Sequence, residues 1–110
     1  MKAPITTHIL DLQTGQPAAG VVVRLSSTTA GLALAGVTDG DGRINAWGED
    51  FSLQDGQYQL QFDTADWFAA NGRECFFPEV NISFMVSAAR PHYHVPLLLS
   101  PFGYSTYRGS

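Results

Sequence analysis

Apolar and polar side chains alternate with a period of two over several stretches of this chain, and that alternation is the signature of half-buried β-strands. Thr6 to Leu12 reads as a first strand, with Thr6, His8 and Leu10 on one face. Val21, Val23 and Leu25 alternate with Val22, Arg24 and Ser26, and Leu32 to Thr38 offers a third strand. The loop near Thr29-Ala30-Gly31 makes these two a hairpin. Tyr58, Leu60 and Phe62 alternate with Gln57, Gln59, Gln61 and Asp63, and Val80, Ile82, Phe84 and Val86 alternate with Asn81, Ser83, Met85 and Ser87. Between these strands, Asp63 or Thr64 is placed to cap a short helix through Ala65 to Ala70, which Gly72 ends. A last strand runs from His92, and Pro96 inside it, having no N–H to give, predicts an edge position or a bulge.

Seven to eight short strands and one short helix predict an all-β fold, a two-sheet antiparallel β-sandwich in which residues 1–110 form a single domain. The inward faces bury one another, and the outward faces are free for function. Hydrophobic residues make up 45% of the 110 and charged residues only 15%, so a surface this poor in charge points to burial against further copies of the chain. The net charge of -4 excludes the basic footprint that nucleic acid or an anionic membrane requires. Cys75 is alone and has no intrachain partner, the start Met1-Lys2-Ala3-Pro4-Ile5 lacks a secretory apolar core, and no run is long enough for a membrane span. A cytoplasmic setting is the expectation.

The residues able to carry chemistry are His8, Arg43, His92, His94 and the terminal Tyr107-Arg108-Gly109-Ser110. Alternation puts His92 and His94 on one face and Tyr93, Val95 and Leu97 on the other. Paired imidazoles that titrate near neutrality suit proton transfer or metal binding. Taken singly, a strand histidine is ordinarily a partly buried polar residue, and an arginine after a turn is ordinarily solvated. Zinc could use His92 and His94 with His8 as third ligand, but no Cys or carboxylate lies close by in sequence. Asp39-Gly40-Asp41-Gly42 resembles part of a calcium loop yet lacks the later acidic ligand, and reads as a turn. Cys75, flanked by Phe76 and Phe77, reads as structural, and the chain has no nucleophile elbow, phosphate loop or dinucleotide fingerprint.

Five segments together carry a family resemblance. They are Thr7-His8-Ile9-Leu10-Asp11, Thr38-Asp39-Gly40-Asp41-Gly42-Arg43, Phe77-Pro78-Glu79-Val80, His92-Tyr93-His94-Val95-Pro96-Leu97-Leu98-Leu99-Ser100-Pro101, and Tyr107-Arg108-Gly109-Ser110. Over essentially its whole length the chain resembles the transthyretin-related proteins that act as 5-hydroxyisourate hydrolases in purine catabolism. The terminal Tyr-Arg-Gly-Ser is the most specific part, since it marks the hydrolases and is absent from the hormone carrier transthyretin.

The resemblance implies a transthyretin-like sandwich and hydrolytic opening of the six-membered ring of 5-hydroxyisourate to 2-oxo-4-hydroxy-4-carboxy-5-ureidoimidazoline, with no required cofactor or metal. It implies His8, Arg43, His94 and Ser110 as catalytic residues, with His92, Tyr107, Arg108 and Gly109 as neighbours in substrate binding. It also implies a homotetramer, a dimer of dimers with sites at the dimer–dimer interface. Either His8 or His94 suits the role of general base, Arg43 that of anion clamp, and Ser110 offers a hydroxyl or a carboxylate. A transthyretin-like binding protein without catalysis and a zinc-dependent hydrolase are the competing readings.

Overall fold

A computed structural model describes residues 2–110. Its elements in chain order are β1 (Ile5–Asp11), β2 (Gln16–Pro17), β3 (Val22–Ser27), β4 (Leu32–Val37), β5 (Arg43–Ile44), β6 (Gly56–Phe62), α1 (Thr64–Ala70), β7 (Val80–Val86), β8 (Tyr93–Ser100) and β9 (Gly103–Thr106). They form two sheets, one ordered β2-β1-β8-β9 with β5 also paired to β1, the other ordered β4-β3-β6-β7. The fold is the expected two-sheet β-sandwich. No helix among the described residues is long and apolar enough to cross a membrane.

The alternation works as elementary sterics require, since successive side chains of a strand point to opposite sides. Ile5 and Ile9 of β1, Val23 and Leu25 of β3, Leu60 and Phe62 of β6, and Leu97 and Leu99 of β8 meet between the sheets, all almost fully shielded from water. Burying each such side chain contributes about 1.5 to 3 kcal/mol before ordering costs. Polar groups that enter this layer are satisfied. The indole N–H of Trp47 donates to the Ile5 carbonyl at 2.9 Å, and the Thr7 hydroxyl donates to the Val95 carbonyl at 2.7 Å.

Three local expectations are revised. The sandwich is antiparallel except at its centre, where β1 and β8 run parallel, with Thr6 opposite His94 and His8 opposite Pro96. The long excursion of chain between these strands supplies the crossover that a parallel pair needs. Nor is β8 an edge strand, because it lies between β1 and β9. Pro96 is tolerated because its carbonyl faces the β9 side, where the Thr106 hydroxyl donates to it at 2.7 Å. The ladder from Leu97 to Ser100 stops there and resumes in the same register at a single bridge between His94 and Gly109. The gap absorbs the missing donor without a bulge.

The third revision concerns the helix start. Asp63 occupies the cap position of α1 but makes no capping hydrogen bond. Its carboxylate is taken by Arg24 of β3 at 2.6 Å instead, and the Thr64 hydroxyl donates to the Phe77 carbonyl. At the other end the helix stops as expected, the Gly72 N–H bonding back to the Ala69 carbonyl. Arg73 then lays its guanidinium over Trp67 and Phe68 and reaches Asp11 at 2.7 Å. Burial pushes the Asp11 carboxyl up, but hydrogen bonds from Arg73, Thr14 and the Gln13 N–H outweigh it and hold the group below its ordinary value. This pair ties the helix and its following loop to the end of β1. Cys75 in that loop is half-buried, its thiol 2.9 Å from the Phe77 carbonyl.

Candidate active site

The outward face of the β1–β8 sheet gathers residues that are far apart in sequence. Thr6 and His8 project from β1, His94 and Pro96 lie opposite them on β8, and Arg43 on β5 lies opposite His8 across the other edge of β1. The alternation of β1 and β8 thus holds, with Tyr93, Val95 and Leu97 buried behind the histidines. His92 sits one residue ahead of β8, exposed, its ring stacked at 15° and 6.5 Å from that of His94.

Arg43 is not the loosely solvated residue that its sequence context alone indicates. The Asp39 side chain accepts the N–H groups of Asp41 and Arg43, so the turn is closed by its own aspartate, and the Ile9 N–H bonds the Gly42 carbonyl. At Gly42, φ is +72° and a Cβ would stand 2.6 Å from the Ile9 carbonyl oxygen. Only glycine lets the turn press this close to β1. The Asp-Gly-Asp-Gly segment therefore serves to set Arg43 beside His8.

The tail approaches from the opposite side. The Gly109 N–H donates to the His94 carbonyl at 2.8 Å, and a Cβ on Gly109 would lie 2.7 Å from Cδ2 of the His94 ring. The chain passes over the imidazole at a distance that excludes any side chain. Ser110 is thereby delivered to a depression of about 90 Å³ lined by Lys2, Thr6, Arg43, Asn45, His92, His94 and Ser110.

Of the residues expected from the sequence, Arg43, His92, His94 and Ser110 line this depression and Gly109 packs on it. His8 shares the face without lining it. Tyr107 and Arg108 face a separate groove between β7 and the end of β9, where Ile82, Met85 and Val95 are neighbours. Thr6, Asn45 and Lys2 also line the depression, although nothing in their sequence context marks them as site residues. The alternation does put Thr6 on the His8 face, whereas Asn45 follows only from the pairing of the two-residue β5. Burial holds the His94 imidazole below its ordinary value, aided by the positive charges of Arg43, His92, His8 and Lys2. A neutral, proton-accepting ring beside a fixed guanidinium is suited to activating water against a carbonyl. Among the described residues, no three His, Cys, Asp or Glu side chains are placed to hold a metal ion.

Comparison with known proteins identifies the family of the chain. The model of the HIUase/Transthyretin family matches residues 5–109. The 5-hydroxyisourate hydrolase of Caulobacter vibrioides is 49% identical over 115 residues, spanning 96% of this chain and 97% of that protein. The structure of the Klebsiella pneumoniae 5-hydroxyisourate hydrolase superposes with a TM-score of 0.84 at 44% identity, covering 98% of this chain and 94% of that one. Sea bream transthyretin, solved with thyroxine, superposes with a TM-score of 0.87 at 32% identity, covering 97% and 95%. The chain belongs to the HIUase/Transthyretin family.

Proposed function

We propose that this chain hydrolyses 5-hydroxyisourate, opening its six-membered ring to give 2-oxo-4-hydroxy-4-carboxy-5-ureidoimidazoline in urate degradation. The observation that carries the reading is the junction of His94, Arg43 and Ser110 in one depression, in a chain that is 39 to 49% identical to 5-hydroxyisourate hydrolases over nearly its whole length. His94, kept neutral by burial and by its cationic neighbours, takes a proton from water as the water attacks the ring carbonyl. Arg43, permanently charged, holds the anionic ring and stabilises the oxyanion. His8 and His92 complete the basic face, and Ser110 orients water or substrate. Tyr107 and Arg108 act by anchoring the tail that carries Gly109 and Ser110.

A depression of about 90 Å³ is smaller than the several hundred Å³ of most small-molecule sites. A second copy facing this sheet would supply the opposite wall, which is the basis for reading the protein as a homotetramer built as a dimer of dimers. Among the described residues, the outer strands β7 and β9 also lack sheet partners on their outer sides, and Met85 on β7 is 71% exposed. A strand edge of this kind pairs readily with another copy. Residues 1–110 act as one domain in a cytoplasmic setting, where the lone Cys75 stays reduced.

The sandwich of sea bream transthyretin supports one other reading, a carrier without catalysis. An ultraviolet assay on freshly generated 5-hydroxyisourate, with and without chelator, separates the possibilities. Accelerated decay unaffected by chelator is expected. Decay at the spontaneous rate, together with binding of a hydrophobic aromatic ligand, would establish the carrier. Activity lost to chelator would establish zinc.

A further inference from the structure

The hydroxyl of Thr6 stands between two imidazoles, 3.0 Å from Nε2 of His92 and 2.8 Å from Nδ1 of His94. Thr6 is 2% exposed, and these are the hydrogen bonds its side chain makes. A hydroxyl has one proton to give and can accept two. Were both facing nitrogens protonated, that proton would have no acceptor in a buried position, at a cost of about 1 to 3 kcal/mol. Thr6 must therefore donate to one ring and accept from the other, so the tautomer of each histidine dictates that of its neighbour.

We infer that His94, Thr6 and His92 form a proton relay, in which Thr6 is the conducting hydroxyl and exposed His92 holds the proton between the two halves of the hydrolysis. The inference rests on the hydrolase reading above and adds roles for Thr6 and His92 within it. In the resting state His94 carries its proton on Nδ1 and donates to Thr6, and Thr6 donates to His92 Nε2. The Nε2 lone pair of His94 is then free for water. As water oxygen bonds to the ring carbonyl carbon, its proton passes to His94 Nε2. The Nδ1 proton of His94 moves to Thr6 Oγ1, and the Thr6 proton moves to His92 Nε2. Positive charge leaves the half-buried ring, where it faces Arg43, His8 and Lys2, for the exposed one. When the carbon–nitrogen bond breaks, its electron pair stays on nitrogen. The relay then runs backwards, and His94 Nε2 protonates the departing nitrogen. The new carboxylic acid gives its remaining proton to solvent, and all three side chains return to their starting state.

One hydroxyl thus lets a single histidine act first as base and then as acid. Its placement explains why a threonine, rather than a valine of the same shape, occupies a nearly waterless position on β1.

The test uses the full chain with Thr6 changed to Val, which keeps the shape, and to Ser, which keeps the hydroxyl. In the wild type, nitrogen-15 spectra should place the neutral His94 proton on Nδ1, and protonating His92 should move it to Nε2. Thr6→Val should abolish that coupling and Thr6→Ser restore it. On 5-hydroxyisourate, Thr6→Val should lower kcat by about 10²-fold with KM nearly unchanged, and Thr6→Ser should recover most of the loss. Thr6→Val within about threefold of wild-type kcat would overturn the relay. So would a His94 tautomer indifferent to His92. If the wild type shows the coupled tautomers but no turnover, the hydrolase reading fails while the hydrogen-bonded coupling stands. Turnover without coupling sinks the relay alone. Should Thr6→Val fail to fold, the wild-type spectra still decide the matter.

Discussion

The two sheets present outward faces of opposite character. On the β4-β3-β6-β7 sheet the outward polar residues are glutamine, asparagine, serine and an ion pair, set among exposed apolar groups such as Val37 and Met85. Gln59 donates to Asn81, Gln61 to Glu79, and Arg24 meets Asp63 in the open. Each partner comes from a neighbouring antiparallel strand or its end, and each pair is wet. On the β1–β8 sheet, the outward polar residues include Thr6, His8, His92, His94 and Arg43, drawn from both ends and the middle of the chain. Here a buried hydroxyl joins two imidazoles, a tail covers one of them, and a guanidinium shifts its protonation. Alternation alone produced both faces. What separates them is how deeply the polar atoms are held and how tightly the backbone fixes them.

The largest effect expected from breaking this contrast comes from the histidines. His94→Asn or His8→Asn should reduce kcat by about two to four orders of magnitude on 5-hydroxyisourate, the usual contribution of general acid–base catalysis. Losses below about threefold in both would remove proton transfer from the mechanism. Gly109→Ala comes next. The added methyl enters the His94 ring, and the displacement should cost up to about 10²-fold in kcat with the melting temperature little changed. Gly42→Ala tests the other support, with strain of about 1 to 3 kcal/mol from its backbone conformation before the clash with Ile9. Chemical denaturation should show this loss, and Arg43-dependent activity should fall with it.

A subtler readout is pH. A general base works only when unprotonated, so the acid limb of kcat/KM should fall below the ordinary histidine value of 6.5. Removing the positive charge of Arg43 favours the imidazolium, and in Arg43→Gln the His94 titration followed by NMR should move upward. A downward move would contradict the assigned electrostatics. The smallest effect belongs to the opposite sheet. Arg24→Ala removes an exposed ion pair and should leave the denaturation midpoint nearly unchanged and kcat unaltered.

Much of this architecture was legible in the sequence because it depends on the period of two. β1, β3, β6, β7 and β8 follow directly from their buried faces, and the His92–His94 face follows from the same rule. Features decided by distant partners were not legible. Asp63 has the chemistry of a helix cap, but Arg24 competes for its carboxylate. Pro96 argues for an edge until the tail supplies a gap opposite it. Arg43 looks solvated because β5 is only two residues long and gives no periodic signal. Tyr107 to Ser110 form one motif in sequence, yet the bridge at Gly109 sends Ser110 to the depression while Tyr107 and Arg108 line the groove. The substrate itself came from family resemblance, since no spacing or charge pattern encodes it.

The parallel pairing of β1 with β8 has a consequence for how this protein is made. Thr6 and His94 are 88 positions apart, so the depression closes a loop nearly as long as the chain. Contacts of such high order form late and slowly, because the chain loses the entropy of loop closure before the contact rewards it. A nascent chain that has emerged only through β7 has no site at all. Catalytic competence during refolding should therefore lag the burial of Trp67, whose ring packs against Phe68 within α1. Activity would then serve as a stopwatch for the last strand to dock.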